Sequence, residues 1–264
     1  MARRRIDALL AERGILPSRE KARAALLAGT VRVNGEPVRK AGQLVEEAAD
    51  ITLTERPRFV SRGGEKLSGA LAAFQVPVAG RRAIDVGAST GGFSDCLLQN
   101  GAESVLALDV GYGQLAWSLR TDERVTVVER TNVRDADPSA LGAPFDIVVC
   151  DVSFISLERI ISKLVSFLGT DGDLLALVKP QFEAGKGNVG KRGVVRDAAM
   201  HTEVLTLLVQ LAEKNGLVVR GLTFSPITGP KGNIEFLLWC SRSGVATDVR
   251  PETVVTRAHE VLGG

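Results

Sequence analysis

Apolar residues recur at helical spacing through residues 4–27, at Ile6, Leu9 and Leu10 and again at Ala22, Ala25 and Leu26. The spacing predicts two short helices. Residues 14–17 (Gly-Ile-Leu-Pro) separate them, and Ser18, ahead of a charged turn, is the expected N-cap of the second. Val31-Arg32-Val33 alternates as a strand does and runs into Asn34-Gly35, a dipeptide that favours a tight hairpin turn. Val38 and residues 51–53 predict further short strands. The opening stretch thus reads as helix, turn, helix, hairpin. Glu55-Arg56-Pro57-Arg58 then reads as a linker, because proline interrupts any regular element.

Beyond the linker the pattern changes. Short apolar runs at 83–86, 105–108, 125–128, 147–150 and 174–178 predict buried strands, with helical patterns between several of them near 92–100, 112–119 and 156–168. A long helix over about 197–214 and two more strands, 217–224 and 234–239, complete the pattern. Buried strands alternating with crossover helices predict a doubly wound α/β sheet. The boundaries expected are a small α+β domain over 1–54, a linker over 55–61, the α/β domain over 62–242, and a tail or helix over 243–264.

Charge sharpens the division. Residues 1–66 hold 14 Lys and Arg against 9 Asp and Glu, whereas the rest hold 19 against 22. A basic end on a mildly acidic body suits a module that docks on a polyanion, although basic faces are also often just solvated. No apolar run reaches membrane-spanning length, and the first residues lack a secretory hydrophobic core, so a cytoplasmic protein is expected. Cys96, Cys150 and Cys240 lie far apart, which suggests neither a disulfide framework nor a metal knuckle.

Three chemistries use a glycine turn like the one after the first strand of the α/β region, Asp85-Val86-Gly87-Ala88-Ser89-Thr90-Gly91-Gly92-Phe93. Gly87-Ala88-Ser89-Thr90-Gly91 matches a hydrolase nucleophile elbow, but that elbow follows several earlier strands, and the only histidines, His201 and His259, lie far downstream. A dinucleotide site needs a second glycine where Ser89 stands. An acid ahead of the first glycine, Asp85, favours a cationic sulfonium cofactor, S-adenosylmethionine; a loop that merely turns is the plain alternative. Downstream, Gly185-Lys186-Gly187-Asn188-Val189-Gly190-Lys191 follows the P-loop pattern until Arg192 replaces the required Ser or Thr, so a basic loop beside the site is the better reading.

Four polar residues can meet at the ligand crevice. Asp151 and Lys179 follow strand-like runs, and strand ends face the crevice in an open α/β sheet. Lys66 belongs to the helix before the first of these strands, and Glu235 to the last strand pattern, just after Gly229-Pro230-Lys231-Gly232-Asn233. Each alone could be a surface charge. As a set, residues 59–239 resemble the FtsJ/RrmJ-type 2′-O-methyltransferases, whose sites use a Lys-Asp-Lys-Glu tetrad in this order. Residues 4–52 resemble the S4 RNA-binding domain through Arg5-Ile6-Asp7, Ser18-Arg19, residues 29–35 (Gly-Thr-Val-Arg-Val-Asn-Gly) and Lys40. The combination, with Ser61-Arg62-Gly63-Gly64 and Lys179-Pro180-Gln181-Phe182-Glu183, resembles the TlyA family across nearly the whole chain.

The resemblance implies a class I, Rossmann-like methyltransferase sheet behind an S4 domain, and methylation of a cytidine ribose in ribosomal RNA or a ribosomal subunit. It implies Lys66, Asp151, Lys179 and Glu235 as catalytic residues, with Lys179 as base or hydroxyl-orienting group; a neutral lysine there would need a lowered pKa, which Lys66 favours and the carboxylates oppose. Asp85, Gly87, Ser89, Gly91, Phe93 and Asp151 are expected around the cofactor, with Asp109 on its ribose and Asn132 near adenine, where a turn asparagine is the equal alternative. Expected RNA contacts are Arg5, Arg19, Lys21, Arg23, Arg32, Lys40, Arg62, Lys186, Lys191 and Arg192. No metal and no membrane are expected. The competing readings are a membrane-active haemolysin, a label members also carry, a catalytically silent RNA scaffold, and a nicotinamide oxidoreductase.

Overall fold

The computed structural model describes residues 3–263 apart from 55, 56, 186, 188, 191 and 192. The expected RNA contacts Lys186, Lys191 and Arg192 therefore lie outside the described residues. The chain forms two compact units, residues 1–58 and 59–264.

In the first unit, β1 (Arg3–Arg5), α1 (Ile6–Glu12), α2 (Arg19–Leu27), β2 (Val31–Val33), β3 (Glu36–Pro37), β4 (Leu44–Glu46) and β5 (Ile51–Leu53) follow one another. Ser18 caps α2, its side chain accepting from the Lys21 amide at 3.2 Å. Asn34 and Gly35 both take positive φ, 50° and 82°, and turn β2 back onto β3, the backbone that this dipeptide favours. Ile6, Leu9, Leu10, Ala22 and Leu26 close over Val31 and Val45 as one small core. Strands β1 and β4 pair antiparallel; neither was expected, because three charged arginines and Leu-Val-Glu carry almost no strand signal by themselves.

The second unit runs α3 (Gly63–Phe74), β6 (Arg82–Val86), α4 (Gly92–Gln99), β7 (Ser104–Leu108), α5 (Trp117–Arg120), β8 (Val125–Val128), β9 (Phe145–Cys150), α6 (Ile161–Phe167), β10 (Leu168–Val178), α7 (Pro180–Glu183), α8 (Ala198–Lys214), β11 (Val218–Phe224), β12 (Phe236–Ser241) and α9 (Pro251–Leu262). Seven strands pair in the order β11-β12-β10-β9-β6-β7-β8. Strands β6 to β10 pair in parallel, and β12 runs antiparallel between β10 and β11. The expected doubly wound α/β sheet is present.

Alternation along the strands sorts side chains to two faces. Ile84, Val148 and Cys150 join a core with α6, α8 and α9, while Ala83, Ile147 and Val149 join another with α3 and α4. Phe59, in the stretch read as linker, is buried in that second core. One expected helix is mostly loop: over 112–119 only Trp117–Arg120 is helical. Gly113 takes φ +70° and its amide donates to Glu129 Oε1 at 2.8 Å, so the segment is held as a turn.

The C-terminal segment is helical and packed, with Val255 and Ala258 buried. His201 Nδ1 on α8 and His259 Nε2 on α9 lie 2.9 Å apart. Burial, with His259 adding to it, lowers the His201 pKa to about 4. The folded state then binds fewer protons than the unfolded chain, whose histidine titrates near ~6.5. This contribution is complete above about pH 6.5 and is lost as pH falls toward about 4, on the order of 2–4 kcal/mol. Urea unfolding of the parent and His201→Gln from pH 7 to 4 should show the stability gap closing by that amount; a gap independent of pH would overturn the assignment.

Candidate active site

Strand β6 is the switch point of the sheet: β7 and β8 lie to one side, and the chain then crosses to place β9 on the other. Ligands of open α/β sheets bind outside the carboxyl ends of the strands at such a point. A cleft of about 560 Å³ opens there, walled by Gly87 and Ser89 after β6, Asp109 and Val110 after β7, residues 131–134 after β8, and residues 151–155 after β9. That volume suits a nucleoside-sized ligand.

Gly87 turns the chain at the end of β6 with φ +86°, and a Cβ there would fall 2.7 Å from the Asp151 carbonyl oxygen. Its lack of a side chain lets the loops after β6 and β9 meet at the floor of the cleft. Asp109 ties two loops together: Oδ2 accepts from the Ser89 amide at 2.7 Å and Oδ1 from the Gly111 amide at 2.6 Å. Asn132 accepts from the Arg134 amide at 3.1 Å, so the turn asparagine is realised at the cleft wall itself.

The rest of the glycine loop faces elsewhere. Gly91 starts α4 with φ +95°, and a Cβ on it would meet Leu119 and Leu115 side chains. Phe93 is 2% exposed in the core shared with α3. Neither lines the cleft, in contrast to the sequence expectation, because the α4 stripe that carries Phe93 packs inward. Asp85 is fully buried; its Oδ2 accepts from the Ser94 amide and hydroxyl at 2.9 and 2.7 Å, and Oδ1 has no hydrogen-bond partner. Burial pushes the Asp85 carboxyl up to about 7, against the pull of Ser94 and with the Asp151 charge adding. Burial likewise raises the neighbouring Cys150 thiol far above its ordinary range, which removes it as a nucleophile.

The four polar residues form two ion pairs. Lys179 Nζ lies 2.6 Å from Asp151 Oδ1, an ion pair without hydrogen-bond alignment, and donates to Ser153 Oγ at 2.8 Å. Lys66 Nζ lies 2.5 Å from Glu235 Oε2, with both side chains buried. The pairs share one end of the sheet: Val178 pairs with Phe236, and Lys179 and Glu235 are the next residues beyond that pair. Glu235 Oε1 is buried without a hydrogen-bond partner, and a Cβ on Gly229 would fall 2.2 Å from it. Glycine at 229 thus makes room for the carboxylate. Of the expected catalytic residues, Asp151 alone is part of the cleft wall.

The cleft also uses residues the sequence reading passed over. Val110, Val133 and Ile155 supply apolar wall, and Gln114, Arg134 and Ser153 supply polar groups. Phe154 takes φ +68° and is 90% exposed, unusual for an aromatic residue in both respects. Val110, Val133, Arg134, Ser153, Phe154 and Ile155 each lie within four positions of Asp109, Asn132 or Asp151, the residues expected there; Gln114 depends on where its loop folds.

In the first unit, three expected RNA contacts share one buried anchor. Arg5, Arg19 and Arg23 reach Asp7 Oδ2 at 3.0, 3.2 and 3.3 Å, and Asp7 is fully buried. Hydrogen bonds from Arg5, then Arg19 and Arg23, hold its carboxyl well below the usual range despite burial. The guanidinium groups are gathered yet about half exposed. Lys21, Arg32 and Lys40 are exposed on the same unit. Arg62, in the second unit, precedes α3 and donates to the Thr228 carbonyl. Among the described residues no group of three or more His, Cys, Asp or Glu could hold a metal, and no helix is long and apolar enough to cross a membrane.

Both units match known families. The FtsJ-like methyltransferase model matches residues 59–242, and the S4 domain model matches residues 4–51. The 16S/23S rRNA (cytidine-2′-O)-methyltransferase TlyA of Mycobacterium tuberculosis is 49% identical over 242 residues, 90% of each chain. Hemolysin A of Brachyspira hyodysenteriae is 39% identical over 234 residues, 88% of this chain and 98% of the relative. A solved structure from Streptococcus thermophilus, also named for hemolysin, superposes with a TM-score of 0.78 at 42% identity, covering 100% of this chain and 98% of that one. An S4 module followed by the doubly wound sheet, matched in sequence by both models and by relatives along most of its length, makes this chain a member of the TlyA-type, FtsJ-like methyltransferase family.

Proposed function

We propose that this chain transfers a methyl group from S-adenosylmethionine to the ribose 2′-hydroxyl of a cytidine in ribosomal RNA. The observation that carries the reading is the Lys179–Asp151 ion pair beside a nucleoside-sized cleft at the sheet's switch point. The donor set fits the cofactor. Asp109 offers carboxylate oxygens to ribose hydroxyls, and Val110, Val133 and Ile155 offer apolar wall to a purine. Asp151 at the cleft wall supplies negative character for a sulfonium or an ammonium group. When bound, S-adenosylmethionine supplies a methyl group already activated for transfer.

The protein's share is to align an incoming hydroxyl and relieve it of its proton. Lys179 Nζ is the group proposed for that task, either as a neutral amine that takes the proton or as a cation that faces the developing alkoxide while the proton passes to water. Asp151 and Ser153 fix its position. The Lys66–Glu235 pair borders it at the same end of the sheet and keeps the remaining charges balanced where burial would make an unpaired ion costly. Relatives bearing the rRNA (cytidine-2′-O)-methyltransferase name support the substrate class.

The direct test is transfer from labelled S-adenosylmethionine to unmodified ribosomal subunits, followed by mapping of the modified nucleotide. A methyl on a base, or none on rRNA, would sink the proposal. Binding checks the cofactor half separately: Asp109→Ala should weaken S-adenosylmethionine by about 1–3 kcal/mol in calorimetry, through loss of charge-assisted hydrogen bonds. Unchanged affinity would mean that the ribose sits elsewhere.

A further inference from the structure

We infer that Glu183 is a positioning residue for methyl transfer, holding the loop that bears Asp151 against the turn that presents Lys179; this rests on the reading of Lys179 proposed above. Lys179 directly follows β10 and sits at the N-cap of α7, whose first residue is Pro180. The turn is closed by the Phe182 amide donating to the Lys179 carbonyl and the Ala184 amide to that of Pro180, each at 2.9 Å. Proline fixes its own φ at the first position, so the single turn is stiff and carries Lys179 and Glu183 as one piece.

Glu183 reaches back across to the loop after β9. Its Oε2 accepts from Ser156 Oγ at 2.6 Å and its Oε1 from the Leu157 amide at 2.9 Å. Ser156 Oγ in turn accepts from the Glu158 amide at 3.1 Å and starts the helical turn Leu157–Arg159. Midway, the Phe154 and Phe182 rings lie 5.2 Å apart. Segments 151–157 and 179–183 are therefore tied at three levels: Lys179 with Asp151 and Ser153, Phe182 with Phe154, and Glu183 with Ser156 and Leu157.

Asp151 and Ser153 occupy two directions around the Lys179 amine, and the third meets a hydroxyl only while these two partners stay in register. A second, independent tie is then needed to keep Asp151 and Ser153 in register while the amine works. Glu183 supplies that tie from the far end of the same turn. Burial raises its pKa while Ser156 and the Leu157 amide lower it. A bidentate acceptor on one hydroxyl and one backbone amide fixes both distance and orientation.

The test compares Glu183→Ala, Glu183→Gln and Ser156→Ala with the parent in single-turnover methyl transfer at saturating cofactor and ribosomal subunits. Amide exchange of the 151–160 peptide is measured in parallel. Glu183→Ala should slow transfer by about 10–100-fold, the scale of a displacement near 1 Å, and speed exchange at Leu157. Glu183→Gln should recover most of the rate, since its carbonyl still accepts from Leu157 and its amide can donate to Ser156. Ser156→Ala, which leaves the carboxylate and the Leu157 bond in place, should fall between them, and it replaces Glu183→Ala should that variant not fold.

A purely structural tie would loosen the peptide and lower Tm without touching the single-turnover rate, and that outcome overturns the inference. So does a glutamine variant as slow as the alanine one. A parent protein that transfers no methyl to rRNA would instead bring down the proposed function, while peptide exchange would still report whether Glu183 holds the loop.

Discussion

Lys179→Ala is expected to remove about 10²–10⁴-fold of methyl transfer while leaving the fold and both binding steps nearly intact, the usual scale of general acid–base help. Lys179 is a side chain at the end of a strand already closed by β9 and β12, so truncation deletes an amine from the end of the sheet without removing a packed apolar group. It also strands Asp151, whose Oδ1 lies 2.6 Å from the amine, although that carboxylate borders an open cleft and can turn to water. Lys179→Arg should rescue poorly: the guanidinium keeps its charge, does not give up a proton at neutral pH, and needs more room beside Ser153 than an ammonium does. Single-turnover rates at saturating enzyme are the deciding measurement, because a pure binding defect vanishes there and a chemical defect does not. Transfer at close to the parent rate by a folded, saturated Lys179→Ala protein would falsify the assignment.

Removing residues 1–58 should abolish productive transfer to ribosomal subunits while cofactor affinity stays within a few-fold of the parent. The first unit closes its own core around Ile6, Leu10, Leu26 and Val31, and the cleft is lined wholly by residues 86–159. The cut falls just before Phe59, which belongs to the second unit's core and must be kept. If six phosphates are neutralised by the basic residues of this unit, affinity of the parent for RNA should drop by about 10³-fold between 50 and 200 mM salt. The truncated chain should lose that steep dependence. Among single substitutions, Lys21→Ala and Lys40→Ala test phosphate contact most cleanly, since both side chains are exposed. Arg5, Arg19 and Arg23 also hold the buried Asp7 carboxylate, so their truncation mixes lost binding with lost stability. Full-rate methylation of subunits by the truncated chain would exclude this role.

How far these expectations were readable from residue order alone differs between fold and site. Fold class lay in local pattern. Unbroken apolar runs at 147–150 and 105–108, a helix-spaced stripe over 197–214, and proline and glycine punctuation are local properties that survive into three dimensions, because each element must bury its apolar residues whatever its neighbours. The same reading failed at 112–119, where side-chain pattern suggested a helix but Gly113 and its bond to Glu129 hold a turn. It missed β1 and β4, whose pairing is a backbone property that charged side chains conceal.

The site was legible as a set of residue types and unreadable as an arrangement. Asp151 and Lys179 could be placed at strand ends from the sequence, since strand ends define the crevice of such a sheet. The second ion pair could not. Lys66 meets Glu235 across 169 positions because α3 packs on the face that the β10–β12 register brings to it. Within a single loop, Gly87 and Ser89 face the cleft while Gly91 and Phe93 face the core. That division follows from the direction in which α4 leaves the loop. Glu183 and Asp7 make the same point, one tying two loops and the other gathering three arginines. Periodicity is a matter of near neighbours, so the sequence by itself determined the elements and the chemistry they could carry. Long-range contacts depend on sheet register and helix packing summed over the whole unit, and only the tertiary structure decided which of those groups meet.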